Sequence, residues 1–215
     1  MRDRFAAIYT AALADILDAR SRHDQTLPPT IRPLAPGTRL AGPAYTVKGG
    51  PASNPDAEEY DTAIRKVLGM LGDVPAGHVA VYACDHDVSA HLGELSVTSL
   101  KARGVAGCVL DGGCRDVGFI LDEGFPVFTR FVTPEDSTWR WELEATQVPV
   151  TIGRVRIEPG DWVVGDDDGV VVVPASIAED VLAEAELKAA TESQIRVAVR
   201  DGMPPLEAYE RFGTF

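Results

Sequence analysis

Helical and extended hydrophobic patterns alternate along the first two thirds of this chain. Apolar residues at a spacing of three or four predict helices over residues 4–20, 56–71 and 93–103, and another that begins at Val117. Short apolar runs between them predict strands at 40–47, 79–83, 105–110 and 127–131. Strands that alternate with helices are typical of βαβ units, so this part of the chain is predicted to form a parallel core.

The pattern changes after Pro134, where tight turns separate short apolar stretches. These stretches predict strands at 148–152, 154–157, 162–164 and 170–173. A long helix over 176–200 follows, and Ser176 with Glu179 predicts a capping box at its start. The final helix and the apolar tail, about 176–215, are expected at a subunit interface. The predicted fold class is α/β, with a parallel βαβ core and an antiparallel C-terminal strand layer.

The composition limits the class of protein. A chain of 215 residues with 45% hydrophobic content suits one well-buried core, which indicates a single domain over residues 1–215. The net charge of −13 argues against nucleic-acid binding, because that function needs clustered Lys and Arg. Three cysteines without a Cys-x-x-Cys pair indicate a reducing compartment. The sequence has no signal-peptide pattern and no apolar run of spanning length, so a cytoplasmic protein without membrane contact is expected.

A group of charged residues between positions 93 and 116 is the strongest candidate site. Glu94 stands where a predicted helix begins, and Arg115 and Asp116 follow a buried strand and a glycine turn. Ligands of open α/β sheets bind beyond the carboxyl ends of strands. Arg115 can hold a carboxylate or an oxyanion through its planar fork, and Asp116 can bind a hard divalent cation. The alternative is structural, with Asp116 capping the helix that begins at Val117 and Arg115 a solvated charge.

Other polar groups have stronger structural explanations. Residues 166–169, Asp-Asp-Asp-Gly, look like a calcium loop, but Asp-Gly between two strands is a stronger signal for a hairpin turn. His86 and His91 lie five residues apart, which does not bring both onto one helical face, so a zinc site is disfavoured. Asp85, at the end of a strand in the same layer as Asp111, could still line the pocket.

Two further segments are rich in glycine, proline or tryptophan. Gly42 and Pro43 are expected to interrupt the strand over 40–47, and residues 49–55 predict a loop that could lie over the site. Trp139 and Trp141 predict edge packing or a subunit contact. No Gly-x-Ser-x-Gly, phosphate-loop or dinucleotide-binding motif is present, so the corresponding enzyme classes have no support.

Several segments together resemble the RraA-like family of 4-hydroxy-4-methyl-2-oxoglutarate aldolases and regulators of ribonuclease E activity. The matching segments are 37–44, 93–95, 101–107, 111–112, 115–116, 124–128, 159–161 and 166–174. The resemblance covers roughly residues 5–200, and Gly-Glu-Leu paired with a downstream Arg-Asp is fairly specific to the family. It implies a swivelling fold of β, β and α layers that assembles as a homotrimer or as a hexamer of two trimers.

The resemblance also implies a binding site for a metal and a small 2-oxo acid. Asp116 would bind Mg²⁺ or Mn²⁺, mainly through water molecules, and Glu94 would hydrogen-bond to those waters. Gly93, Leu95 and Ser96 would bind the substrate, with the amides of the last two receiving the pyruvate carboxylate.

Glu94, Arg115 and Glu192 would form the catalytic group. Arg115 would contact the keto-acid end of the substrate. Glu192 is the best match for a family glutamate that the C-terminal helix of a neighbouring subunit contributes.

This chain departs from the family pattern in two places. Gly113 and Cys114 replace the commoner Ala-Val, which would loosen the turn and place a thiol near the metal. Ser96 stands where leucine is frequent, although its backbone amide remains available.

The implied activity is that of a class II, metal-dependent aldolase. It would cleave a 4-hydroxy-2-oxo acid such as 4-hydroxy-4-methyl-2-oxoglutarate to pyruvate and a second carbonyl compound, with oxaloacetate decarboxylation as a side activity. Two alternatives stay open. One is a non-catalytic protein that inhibits ribonuclease E, and the other is a lyase or decarboxylase for another 2-oxo acid.

Overall fold

A computed structural model describes residues 1–52 and 57–215, which form both helices and strands. The helices are α1 (Arg2–Ala7), α2 (Thr10–Ala19), α3 (Ala57–Asp73), α4 (Glu94–Ala102), α5 (Val117–Glu123), α6 (Ala178–Arg200) and α7 (Pro205–Phe212). The strands are β1 (Arg32–Pro33), β2 (Leu40–Pro51), β3 (Val79–Ala83), β4 (Ala90–Leu92), β5 (Gly107–Cys114), β6 (Val127–Val132), β7 (Trp141–Thr146), β8 (Val150–Ile152), β9 (Val155–Ile157), β10 (Trp162–Asp166) and β11 (Gly169–Val173).

Nine of these strands form one mixed sheet. Its order is β1-β6-β5-β3-β2-β10-β11, with β4 beside β5 and β7 beside β2. The pairs β2–β3, β3–β5, β4–β5 and β5–β6 are parallel, whereas β10 pairs antiparallel with β2 and with β11. The remaining strands, β8 and β9, form an antiparallel hairpin. The predicted α/β class, with a parallel core and an antiparallel C-terminal layer, is confirmed.

The sheet is nearly closed, because the segment before β1 bridges its two edges. The Leu27 N–H donates to the carbonyl of Val170 (3.0 Å), which attaches this segment to β11. A few residues later, Arg32 in β1 pairs with Thr129 in β6. The enclosed space is filled by buried apolar side chains, among them Leu40, Val81, Val109, Phe128, Val163 and Val172. The interior is therefore a packed core.

The helices cover the two outer sides of the sheet. α3, α4 and α5 bury residues such as Leu71, Leu100 and Ile120 against the parallel strands. α1, α2 and α6 pack on β10 and β11 around Leu13 and Leu182. Full burial of one such side chain contributes about 1.5–3 kcal/mol of transfer free energy. These layers fix the strand ends from which α4 and α5 begin.

The predicted helix over residues 4–20 is two helices. Ile8 and Tyr9 between them have extended backbone angles. Asp166 explains the break, because its carboxylate accepts the backbone N–H of Thr10 at 2.8 Å and so satisfies the start of α2. Its partner is distant in sequence, so local periodicity does not report it.

β2 is longer and more continuous than the sequence predicts. Pro43 lies where β2 changes partners, since its pairing with β10 ends there and its pairing with β3 begins at Ala44. A Cβ at Gly42 would lie 2.5 Å from the carbonyl oxygen of Gly77, so glycine allows close packing at this point. The predicted loop over 49–55 is wrong for its first three residues, which pair with β7, and residues 53–55 lie outside the described residues.

The C-terminal helices also differ in detail from the prediction. Ile177 occupies the N-cap of α6 without a side-chain cap, so the predicted capping box is wrong. Ser176 instead lies in a short 3₁₀ turn, where Asp161 accepts the N–H of Ala175 at 2.9 Å. The apolar tail forms α7, whose Ala208 is buried. In the ranges 1–52 and 57–215, no helix has the length and hydropathy required to cross a membrane.

The predicted hairpin turn at residues 166–169 is confirmed. We predict that Asp166, its first residue, contributes strongly to the stability of the fold. Asp166 is buried and accepts hydrogen bonds from the Thr10 N–H, the Thr10 hydroxyl and the Asp168 N–H. Asp166→Ala leaves these donors unpaired and should lower the free energy of unfolding by about 3 kcal/mol, measured by urea denaturation. Asp168→Ala, an exposed position in the same turn, is the control and should cost less than about 0.5 kcal/mol. Equal losses in the two variants would contradict this role.

Candidate functional site

The two glycines at the end of β5, which were predicted to form a turn, belong to the strand. β5 continues through Gly112 and Gly113 to Cys114. A Cβ at Gly112 would lie 2.5 Å from Nδ1 of His91, and one at Gly113 would lie 2.5 Å from a ring carbon of Phe131. Glycine is therefore needed because neighbouring side chains pack closely on β5. The expectation of a loosened glycine turn at these positions is wrong.

Cys114 is not an exposed thiol beside the site. Its side chain is buried in the core under α4 and α5. Burial raises the pKa of Cys114 to about 12, and the negative charge of Asp116 acts in the same direction. A thiol with so high a pKa is protonated at neutral pH and is a poor nucleophile or metal ligand.

The chain leaves the sheet at Arg115 and Asp116. The Arg115 N–H donates to the carbonyl of Leu92 (3.0 Å), which joins the ends of β4 and β5. Asp116 has left-handed backbone angles (φ 59°, ψ 35°), which Asp tolerates better than most residues. It occupies the N-cap of α5 but makes no side-chain cap there. Its carboxylate instead accepts the N–H of Glu94, the first residue of α4, at 3.0 Å, so the interpretation of Asp116 as an ordinary cap of α5 is wrong.

Gly93 brings the start of α4 against both charged residues. A Cβ at this position would lie 2.6 Å from Oδ2 of Asp116 and 3.2 Å from Nε of Arg115. Its backbone is extended (φ −136°), so the requirement for glycine comes from this contact and not from the backbone angle. The structure therefore brings Gly93, Glu94, Arg115 and Asp116 together, as the sequence suggested.

The first turn of α4 offers backbone donors beside this group. The N–H groups of Leu95 and Ser96 lie in the first turn, where a helix supplies no internal acceptor. The positive end of the helix dipole adds to their attraction for an anion. The Glu94 side chain is half-buried, and its carboxylate accepts a hydrogen bond from the Thr98 hydroxyl at 3.3 Å. The arrangement can bind a carboxylate next to a guanidinium.

Arg115 is paired with a residue that the sequence analysis missed. Its Nη1 lies 3.1 Å from Oδ2 of Asp136, while its Nε lies 3.7 Å from Oδ2 of Asp116. Partial burial would raise the pKa of Asp136, but the N–H of Thr138 and the charge of Arg115 outweigh it and lower that pKa. Asp136 is therefore a carboxylate that holds the guanidinium in place.

Glu192 lies elsewhere in the chain. It is on α6, where the Tyr9 hydroxyl donates a short hydrogen bond to its carboxylate and Lys188 lies 3.9 Å away. Burial and the charge of Glu192 raise the pKa of Tyr9, so this hydroxyl remains a donor. One chain does not bring Glu192 to Arg115, and its contribution to a neighbour's site stays a prediction.

A second polar group lies beside β5 and β6. Arg130 Nη1 is 3.4 Å from Oδ1 of Asp111. Burial raises the pKa of Asp111 despite this partner, and the negative charge of Asp85 raises it further. Asp85 and Asp111 are thus close enough to repel each other, which agrees with the expectation that they lie in one layer.

His86 and His91 also come close together. Their rings make an edge contact with centroids 5.6 Å apart, and Trp141, which is buried in the core, contacts His91 in the same way. Among the described residues no group of three His, Cys, Asp or Glu side chains could hold a metal ion, so a zinc site here has no support. Neither ring nitrogen of His91 has a hydrogen-bond partner in the described part of the chain.

The residues around Asp116 suit a loosely held divalent cation. Carboxylate oxygens are the ligands that Mg²⁺ prefers, and this ion usually keeps several waters and takes only one or two protein carboxylates. Asp116 is exposed at the site, with Oδ2 turned to the Glu94 N–H. Its other oxygen provides a hard donor, and Glu94, whose backbone N–H contacts Asp116, carries a second carboxylate. The donor set therefore fits a hydrated Mg²⁺ or Mn²⁺ ion.

Comparisons with known proteins identify the family. A family model named RraA-like, described as Aldolase/RraA, matches residues 10–172. A protein of Halalkalibacterium halodurans named "Putative 4-hydroxy-4-methyl-2-oxoglutarate aldolase" is 32% identical over 207 residues, which are 96% of this chain and 91% of that protein.

Two solved structures resemble the chain over almost its whole length. An uncharacterized protein from Pseudomonas syringae is 31% identical with a TM-score of 0.82, covering 96% of this chain and 94% of that one. Streptomyces coelicolor RraAS2, described as an unusual member of the RNase ES inhibitor RraA protein family, is 31% identical with a TM-score of 0.79, covering 90% and 94%. The fold and site are those of a mixed α/β protein with an Arg-Asp pair at a strand end. The chain belongs to the RraA-like family, which confirms the resemblance noted from sequence.

The buried His91 predicts a dependence of stability on pH. Burial, together with the smaller effect of the neighbouring His86, lowers the pKa of His91 to about 4. Because the unfolded chain binds this proton near pH 6.5, the stability from neutral His91 is present above that pH. It is lost as the pH falls towards 4, by up to about 3 kcal/mol.

Urea denaturation at pH 7 and pH 4.5 tests this prediction. His91→Phe removes the titrating group, so its loss of stability on acidification should be smaller than that of the wild type. His23→Gln, at an exposed histidine, is the control and should follow the wild type. An unchanged pH dependence in His91→Phe would show that other groups cause it.

Proposed function

We propose that this protein is a divalent-metal-dependent aldolase that releases pyruvate from a 4-hydroxy-2-oxo acid such as 4-hydroxy-4-methyl-2-oxoglutarate. The observation that carries the proposal is the contact of the Gly93 backbone with Arg115 and Asp116. This contact brings anion-binding amides, a guanidinium and a carboxylate to one place. The names of relatives in the family support the substrate class.

The substrate would bind between α4 and Arg115. The first-turn N–H groups of Leu95 and Ser96 would receive its carboxylate. Arg115 would point its remaining N–H donors at the 2-keto oxygen, where negative charge grows as the pyruvate enolate forms. A divalent cation held by Asp116 would act there as a Lewis acid.

Bond cleavage requires a group that accepts the proton of the 4-hydroxyl. Glu94 is the candidate, acting directly or through one water, because it is the first residue of α4 and its backbone N–H contacts Asp116. Loss of that proton forms the new carbonyl at C4 as the C3–C4 bond breaks. The electron pair of that bond enters the enolate, which becomes pyruvate when C3 takes up a proton. Oxaloacetate gives the same enolate on losing CO₂, so decarboxylation is proposed as a side activity.

A homotrimer or hexamer in the cytoplasm is also proposed. Large apolar side chains are exposed close to the site, with Leu95 at 79%, Phe119 at 66% and Val132 at 57% exposure. Such residues are suited to cover by a neighbouring chain. In that assembly Glu192 of one subunit would assist the site of another.

Inhibition of ribonuclease E is the second candidate function. The similarity to Streptomyces coelicolor RraAS2, described as belonging to an RNase ES inhibitor family, favours it. The net charge of −13 suits docking on a basic partner. Binding to purified ribonuclease E, with unchanged binding in Asp116→Asn, would support a role that does not use the site.

A third possibility is lyase action on another 2-oxo acid, in which only the far side of the pocket differs.

The first prediction from the proposed function concerns Asp116. Asp116→Asn keeps an oxygen that can accept the Glu94 N–H but removes the negative charge that holds the cation. Pyruvate release from 4-hydroxy-4-methyl-2-oxoglutarate and from oxaloacetate, with Mg²⁺, should fall by at least about 10²–10³-fold. Chelator should have the same effect on the wild type.

The control for this experiment is Asp122→Asn, at an exposed position on α5, which should retain wild-type rates. Full activity in Asp116→Asn would exclude its assigned role. No pyruvate from either compound in the wild type would favour another 2-oxo acid or the ribonuclease inhibitor.

The second prediction concerns the contact at Gly93. In Gly93→Ala the new Cβ would lie 2.6 Å from Oδ2 of Asp116, so the carboxylate or α4 must shift. A displacement of this kind should reduce kcat/KM for pyruvate release by about 10²-fold. Gly118→Ala, on α5 with nothing within 4 Å of the added Cβ, should leave it unchanged. Equal activity of the two variants would mean that the contact is not needed for the reaction.

A further inference from the structure

Asp136 binds Arg115 from a loop outside the site motifs. The loop lies between β6 and β7, and it contains two acidic residues in succession, Glu135 and Asp136. Asp136 pairs with Nη1 of Arg115 at 3.1 Å, whereas Glu135 pairs with Arg140 at 3.1 Å. The two carboxylates have nearly equal side-chain exposure, 46% and 47%. They differ in the arginine with which each one forms an ion pair.

Asp136 is itself fixed to the strand that leads into α4. Its Oδ1 accepts the N–H of Thr138 at 3.1 Å. The preceding carbonyl, that of Glu135, accepts the N–H of Ala90 at 2.8 Å, and Ala90 forms a β-bridge with Asp136. Ala90 is three residues before Gly93 in the chain. Asp136 is therefore held in register with the backbone that faces the proposed substrate carboxylate.

Asp116 and Asp136 compete for the same guanidinium. Asp136 Oδ2 is 3.1 Å from Nη1 of Arg115, and Asp116 Oδ2 is 3.7 Å from Nε. At 3.1 Å a charge-assisted hydrogen bond can form, whereas 3.7 Å is beyond normal hydrogen-bond length. Without Asp136, Asp116 would be the nearest negative charge to Arg115. The guanidinium would then move onto the carboxylate that is proposed to bind the cation.

We infer that Asp136 is a positioning residue, which holds Arg115 towards the substrate and keeps it off Asp116. The inference rests on the proposed function, in that Asp116 is taken to bind the cation and Arg115 the oxo acid. It adds a role for a residue that touches neither ligand. Asp136 acts through Arg115 alone. Its substitution should therefore change ligand affinity only while Arg115 is present.

The test measures binding directly, without turnover. Mn²⁺ and then oxalate, a planar dicarboxylate similar in shape to the pyruvate enolate, are titrated calorimetrically into the wild type, Asp136→Asn and Glu135→Gln. Asp136→Asn should weaken both Mn²⁺ and oxalate binding by about three- to tenfold, because Arg115 shifts towards Asp116. Glu135→Gln breaks an ion pair of equal exposure in the same loop and should leave both affinities unchanged.

A double-mutant cycle separates positioning from a general loosening of the loop. In an Arg115→Gln background, Asp136→Asn should have no further effect on Mn²⁺ affinity, because no guanidinium remains to be displaced. Equal affinities in Asp136→Asn and Glu135→Gln, or a full effect of Asp136→Asn without Arg115, would overturn the inference.

These titrations, combined with the assay of pyruvate release, distinguish this inference from the proposed function. A wild type that binds Mn²⁺ and oxalate but releases no pyruvate would reject the proposed reaction, while the comparison of variants would still decide the role of Asp136. A wild type that releases pyruvate, with variants that bind alike, would overturn the positioning role alone. A wild type that binds neither ligand would overturn both.

Discussion

The close contact between the Gly93 backbone and the Asp116 carboxylate is the constraint on which the site depends. Asp116 accepts the first N–H of α4, so the end of β5 fixes where the preceding helix begins. Any side chain at position 93 would force the two apart. Gly112 and Gly113 serve the same purpose within the sheet, where they let His91 and Phe131 pack on β5. Close approach, rather than turn formation, accounts for glycine at all three positions.

The parallel core could be predicted because β3, β5 and β6 are compact apolar runs between helical patterns, and this signal depends only on nearby residues. The break between α1 and α2 could not, since it depends on Asp166, which is 156 residues from Thr10. β7 had a signal that was overlooked: Trp141, Leu143 and Ala145 alternate with glutamates, as in a half-buried strand. β4 has three residues, which is too short for any periodicity.

The residues of the candidate site also divide into those that a local sequence pattern predicts and those that a distant contact positions. Glu94, Arg115 and Asp116 could be found from local patterns. Glu94 stands at the start of a predicted helix, and Arg115 and Asp116 stand between a predicted strand and a predicted helix, where α/β proteins bind ligands. Asp136 could not, because its position follows from the β-bridge with Ala90 and not from any pattern around it. The glycine turn was predicted wrongly, because Gly112 and Gly113 lie within β5 and are contacted by protein side chains.

The charges around Arg115 support the proposed metal on grounds independent of family. The carboxylates of Asp116 and Asp136 share one guanidinium, which leaves one uncompensated negative charge at the place proposed for an anionic substrate. Two unit charges at 4 Å repel by about 1 kcal/mol in water and by about 4 kcal/mol near a protein surface. The charges elsewhere on the protein, which make up the rest of the net charge of −13, are screened beyond about 8 Å. The charges around Arg115 therefore dominate the electrostatics of the site. A divalent cation would more than cancel the local excess, and an oxo acid would then meet a positively charged site that also offers Arg115 and the α4 amides.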